Sequence, residues 1–223
     1  MADFRTHLGV AAAAGAVVAH GGWQAGLWMA WEALPVLVLV TFGGILPDID
    51  ADRSKAIRLI FNLLAVPGVV VGALLLQGRL DAGALLMACG GIYLTVRHLA
   101  GALFSRFTVH RGLWHSLLAA ALCGLVTAAL SQRLFAQPDT LAWVHGLAVA
   151  LGFIIHLLLD ELYSVDLTGA RLKRSFGTAL KPFDWRSPGN SLVMLLAAAA
   201  LLPWLPPLAP LWALLAQGAA LWR

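Results

Sequence analysis

Charge is scarce in this chain: Asp, Glu, Lys and Arg make up 12% of its 223 residues, where a soluble domain carries about a quarter. A water-soluble fold of this size has too little interior to hide the 61% of residues that are hydrophobic. Cysteine is equally sparse. Cys89 and Cys123 lie in apolar stretches without CxxC spacing, offer no disulfide framework, and read as small buried hydrophobes. No Gly-x-Ser-x-Gly elbow surrounds Ser116, which argues against serine nucleophile chemistry. The opening residues hold an acid, Asp3, but no Lys/Arg-rich region, and the next apolar stretch lacks a clear cleavage signal. A retained first helix is therefore expected in place of a signal peptide.

Long apolar runs dominate what is present. The mean hydropathy of +0.84 and stretches of membrane-spanning length indicate a polytopic membrane protein. The runs extend from His7 to Ala19, Trp28 to Leu46, Ile57 to Leu76, Ala82 to Leu103, Leu113 to Leu130 and Leu141 to Leu162. Two shorter pieces, Ser191 to Leu202 and Pro207 to Leu221, follow a polar stretch. Pro67-Gly68 predicts a kink in the third run, and the prolines at 203, 206, 207 and 210 predict a rigid turn. The expected fold is an all-α, polytopic transmembrane helical bundle of about seven or eight segments. It forms a single domain over residues 1–223, with a basic cytoplasmic loop at 164–189.

The charge bias of membrane insertion orients this bundle. With the N-terminus inside, all of the 15 Lys and Arg residues except Arg79 and Arg133 fall on the inner side. Seven of the nine tryptophans, at 23, 28, 31, 143, 204, 212 and 222, lie mainly near span ends, as interfacial anchors do. The net charge of +4 is thus explained by juxtamembrane cations, and no nucleic-acid partner is expected.

In this orientation His7, Asp48, Asp50, His110, His115, His156 and Asp160 share the inner face. A common depth is what a single site needs. His156 and Asp160 are four residues apart, so they lie on one face of a helix flanked by Leu and Ile. A carboxylate in such surroundings is costly unless paired or bound to an ion, and a structural His–Asp contact explains the pair as well as a metal site does. Asp48 and Asp50 follow Gly43-Gly44 and Pro47, where missing side chains permit close backbone approach. They offer oxygen ligands to one ion or to neighbouring ions, or a capped turn. His110 and His115 bracket Arg111, whose forked donors suit a phosphate, and Ser116 is placed to cap a helix, orient a ligand or donate a hydrogen bond to substrate. Arg97 either reaches the headgroup layer or an active cavity, or snorkels. Lys173 and Arg174 sit in a loop of cations and aromatics that suits an anionic headgroup, a phosphorylated substrate or a membrane surface. On the opposite side, His20, His145 and Glu32 form a possible separate cluster, with loop residues as the simpler reading.

Taken together, Thr6-His7, the Pro47-Asp48-Ile49-Asp50 signature after Gly43-Gly44-Ile45-Leu46, His110 through His115-Ser116, and His156-Leu157-Leu158-Leu159-Asp160 resemble a known family. It is the YdjM-like family of LexA-binding, inner-membrane-associated, metal-dependent hydrolases. The resemblance spans about Arg5 to Lys181 and is specific only in combination. There is a fainter similarity to helical zinc-dependent phospholipase C enzymes. The resemblance implies a bacterial inner-membrane, multi-pass protein that uses a divalent metal for hydrolysis. Relatives often carry His after the acidic motif where Ala51 stands here, which leaves the metal number open between one and two.

The expected reaction is hydrolysis of a phosphate ester or pyrophosphate in a membrane lipid or lipid-linked substrate. His7, Asp48, His115, His156 and Asp160 are the candidate metal ligands, with Asp50 joining them or acting as base. His110 is the candidate for proton transfer. Arg97, Arg111, Lys173 and Arg174 are candidates for binding the phosphorylated substrate. The mixture of nitrogen and oxygen donors favours zinc, with manganese or iron as alternatives. The partners expected are membrane lipids, with a homo-oligomer compatible. A proton- or metal-coupled transporter and a noncatalytic scaffold are the competing functions.

Overall fold

The computed structural model describes residues 3–50, 55–100, 102, 113–166, 171–172 and 177–220. These are largely helical and form two compact units, Met1–Pro47 with Arg111–Arg223, and Asp48–His110.

The first unit contains α1 (Phe4–Gln24), α2 (Ala33–Gly43), α5 (Leu117–Arg133), α6 (Asp139–Leu162), α7 (Pro188–Ala200) and α8 (Leu208–Ala220). The second contains α3 (Lys55–Leu76) and α4 (Ala82–Leu94), the latter continuing as a π-turn over Thr95–Ala100. A 3-10 turn at Pro47–Asp50 carries the chain from the first unit into the second. The strands among the described residues, β1 (Val165–Asp166) and β2 (Arg171–Leu172), make a two-residue antiparallel ladder after α6.

Helix α6 is the centre of the first unit, packing on α1, α2, α5 and α8. Its small residues permit this. A methyl group on Gly146 would stand 2.6 Å from the Gly124 carbonyl oxygen of α5, so the two helices cross with their backbones nearly touching. Val36 and Val40 of α2, Val144 and Ala148 of α6, Ala128 of α5 and Leu214 of α8 fill one core. A second core of Ala119, Ala120, Phe153, Leu157 and Met194 lies toward the other end of α6. In the second unit α3 packs on α4, and Tyr93 donates to Asn62 across them. Helix α3 runs unbroken through Pro67.

Among the described residues, three helices are long and apolar enough to cross a membrane: Ile57–Leu76, Ala82–Ala100 and Asp139–Leu162. The pair Pro188–Trp204 and Leu208–Ala220, bent by 103° at the proline-rich turn, is a fourth if it counts as one broken span. Arg133 donates to the Trp204 and Pro203 carbonyls, and Trp143 Nε1 to that of Pro207, so the bend is anchored to α5 and α6. Helices α2 and α5 are apolar but shorter. Leu74, Leu75, Leu86, Met87, Leu196 and Trp212 are all more than half exposed, an apolar surface that suits hydrocarbon better than water.

Candidate metal centre

Three chain segments of the first unit bring imidazoles to one carboxylate. The first is the opening turn of α1. Asp3 caps this helix by accepting from the Thr6 backbone N–H at 2.8 Å, while its carbonyl accepts from His7 N. Hydrogen bonds from Thr6, chiefly its side chain and then its backbone, hold the Asp3 carboxyl below the usual carboxylate range. This capped turn fixes the depth and facing of His7, which is 1% exposed.

The second segment is the entry to α5. Ser116 is its N-cap: Oγ accepts from Ala119 N at 3.2 Å and donates to Leu113 O at 2.7 Å. The bend this creates turns His115 inward, where it is fully buried. Two further N–H groups of the α5 start, on Leu117 and Leu118, donate to the carbonyls of Lys181 and Pro182.

The third segment is the last two turns of α6, which carry His156 and Asp160 one above the other, both fully buried. His156 Nδ1 lies 2.7 Å from the Gly44 carbonyl oxygen. A carbonyl only accepts, so Nδ1 holds the proton and Nε2 presents its lone pair. That contact depends on glycine, because a side chain on Gly43 or Gly44 would overlap Val149 of α6 or Ala11 of α1.

The four side chains converge. His7 Nε2 is 3.3 Å from Asp160 Oδ1, and His115 Nε2 and His156 Nε2 are 3.7 and 3.9 Å from Oδ2. His7 stacks on His156 with ring centroids 3.7 Å apart, and His115 meets His156 edge-on at 5.8 Å. One ligand atom from each of His7, His156 and Asp160 lies within 4.8 Å of the others, close enough to hold a metal ion. The fit has a second indication. Among the described residues the buried His7 Nδ1 has no hydrogen-bond partner. Nε2 faces Asp160 Oδ1 at 3.3 Å. Burying an imidazole nitrogen unsatisfied is costly, and a cluster that leaves one so is eased when an ion takes up a ring lone pair. Three imidazoles and a carboxylate are a donor set that zinc accepts.

The other sequence candidates are taken element by element. Asp48 is half-buried in the 3-10 turn, within the second unit, and Asp50 ends that turn. Arg97 lies in the π-turn after α4, half-exposed. His110, Arg111, Lys173 and Arg174 lie outside the described residues. His20 does not join His145; it sits edge-on to Trp23 at 5.6 Å, while His145 lies in α6.

Glu161 follows Asp160 at the end of α6. Its carboxylate accepts from the backbone N–H groups of Gly177 and Ala179, which ties the segment after β2 to the end of α6 beside Asp160. Lys181 and Asp184 pair at 3.0 Å, and Asp184 N donates to Ser191 Oγ at the start of α7. The stretch 177–191 is therefore a strap joining the α5 entry, the α6 end and α7 around the centre. Replacing Glu161 by Ala removes two hydrogen bonds to a charged acceptor and is expected to lower stability by about 1–3 kcal/mol. Hydrogen exchange should then accelerate at residues 177–182 and stay slow in mid-α6; unchanged protection of the strap would dissociate it from Glu161.

No match is found among curated proteins or among solved structures. A family model described as YdjM inner membrane protein matches residues 1–205, a span that takes in His7, the Pro47–Asp50 turn, His115-Ser116, His156 and Asp160. With that match over most of its length, the chain belongs to the YdjM inner membrane protein family.

Proposed function

We propose that this protein is a divalent-metal-dependent hydrolase of a phosphate ester or pyrophosphate bond in a membrane lipid or lipid-linked substrate. It acts at the cytoplasmic face of the inner membrane, with the N-terminus inside. The observation that carries the reading is the meeting of His7, His115, His156 and Asp160, all 0–1% exposed, in an apolar helical unit. A purely structural role for three imidazoles and one carboxylate is a poor use of buried polarity. Apolar packing of similar volume is often neutral or more stable than a buried ionic cluster.

In this reading His7, His115, His156 and Asp160 hold the ion, zinc first, with manganese or iron as alternatives. A bound divalent cation lowers the pKa of water and polarises a phosphoryl oxygen. The chain supplies the rest. The Gly44 carbonyl orients His156, and the strap at 177–191 closes one side of the centre. The proposal retains Asp48 and Asp50 as further oxygen donors, with Asp50 the alternative base. It assigns His110 to proton transfer, and Arg97, Arg111, Lys173 and Arg174 to the charge of the phosphorylated substrate. It also takes residues 1–223 as one functional domain. The shorter apolar helices α2 and α5 act with the long ones, for about seven or eight membrane segments in all. Orientation rests on the cations, of which Arg79 and Arg133 alone fall outside.

The test begins with protein stripped of metal by chelation and returned to bilayers. Adding zinc, manganese or iron to this protein with a bacterial lipid extract is expected to generate a dephosphorylated or headgroup-cleaved lipid, read by mass spectrometry. Metal-free protein should give none. Metal binding without any product, accompanied by ion uptake into sealed vesicles, would move the assignment to a transporter.

A further inference from the structure

A second polar cluster lies on α6 at a distance from the metal centre. His145 precedes His156 by about three helical turns, roughly 16 Å along the axis. There α2, α5, α6 and the turns beside them line an open cavity of about 470 Å³, all within the first unit. Its walls are mostly apolar, with Trp31, Leu130 and Phe135 more than or nearly half exposed around it. Volume and lining are those of a small-molecule pocket holding a few placed polar groups.

Those groups are specific. His145 Nδ1 and Ser131 Oγ are 2.7 Å apart, and Ser131 is 5% exposed. The other ring nitrogen, His145 Nε2, is buried and has no hydrogen-bond partner among the described residues. Glu32 lines the same cavity and is the charged residue in its wall. Its Oε2 accepts from Met29 N at 2.7 Å, which fixes the carboxylate in place.

We propose that this cavity binds an amphiphilic ammonium ion, with its head between Glu32 and His145 and its apolar body against Trp31, Leu130 and Phe135. Charge decides the class of ligand. A protonated amine gives Glu32 a counter-charge and donates to His145 Nε2 when Nδ1–H donates to Ser131 Oγ. A fatty acid or phosphate would bring like charge to Glu32. A neutral alcohol satisfies His145 but leaves the carboxylate uncompensated. Nothing in this site depends on the metal, so it stands or falls separately from the hydrolase reading.

The full chain in lipid nanodiscs is titrated calorimetrically with dodecylamine near pH 7, empty nanodiscs giving the partition background. Saturable binding of about one amine per chain is expected. Dodecyltrimethylammonium, which lacks N–H donors, and dodecanol should bind at least several-fold more weakly, and dodecanoate weakest. Glu32→Gln keeps an acceptor for Met29 N and should weaken the amine tenfold or more, with metal content unchanged; Ser131→Ala should weaken it a few-fold. Equal affinity for dodecanoate and dodecylamine, or no saturable amine binding above background, would overturn the proposal. So would full amine affinity in Glu32→Gln. Because the ligand series is run on the unaltered protein, it decides the matter even if a variant fails to fold.

Discussion

Asp160→Asn is expected to empty the metal centre while preserving its shape. The asparagine side chain matches the carboxylate in volume, but it has lost the charge toward which three imidazoles converge at 3.3–3.9 Å. Loss of an outer-shell partner alone typically lowers metal affinity about 10–100-fold. Loss of the anionic ligand itself should cost at least about a hundredfold, and turnover should fall below detection with it. Elemental analysis of the purified variant should show little bound metal where the unaltered protein retains it.

The same substitution separates a catalytic centre from a structural knot. If the cluster only ties α1, α5 and α6 together, removing its carboxylate should destabilise the protein, and added metal should make no difference to either form. Breaking a buried charge interaction costs about 3–5 kcal/mol. If the cluster is a metal site, the unaltered protein should melt higher with metal than without it, because a ligand that binds the folded state stabilises it by mass action. Asp160→Asn should lose that increment. A variant that still gained thermal stability from metal and still turned over lipid would remove Asp160 from the centre.

The parts of this site legible in sequence are those set by local geometry. Four-residue spacing within an apolar helix placed His156 and Asp160 on one face. Ser116 is the N-cap expected from its position before an apolar run, and it directs His115. The pair Gly43-Gly44 predicted close backbone approach, and Gly44 indeed meets α1 and α6. The run ends at 76 and 162 coincide with the ends of α3 and α6. What stayed illegible depends on partners distant in the chain. What Glu161 holds is decided by the 177–179 backbone, which donates to it from a distant part of the chain. His145 reads as a loop imidazole grouped with His20 until α5 presents Ser131. The π-turn at Thr95–Ala100 also escapes a helical pattern, since one wider turn leaves the apolar run unbroken. Local chemistry signals which residues are unusual; packing decides which of them meet.

Gly152→Ala should cause the largest loss of stability of any single added methyl near the centre. At Gly152 a methyl would overlap the Val40 carbonyl and stand 2.8 Å from the Gly44 nitrogen, so the obstruction is backbone rather than a mobile side-chain tip. Helices α2 and α6 must then separate along the contact that brings the Gly44 carbonyl to His156 Nδ1 at 2.7 Å. Overpacking a close-fitted interior costs about 1–3 kcal/mol, and the rigid obstruction here places the expected value at the upper end of that range. Metal affinity should fall as well, by about 10–100-fold, because the bond that holds the imidazole in its tautomer and orientation is lost. Gly189→Ala, in the first turn of α7 where the new methyl meets nothing within 4 Å beyond its own turn of helix, is the matched control and should melt at least as high as the unaltered protein. The two losses have one cause, so they must appear together. A Gly152→Ala protein that melts normally would show that α2 and α6 are not in close contact. One that melts early yet binds metal at full affinity would show that Gly44 does not orient His156.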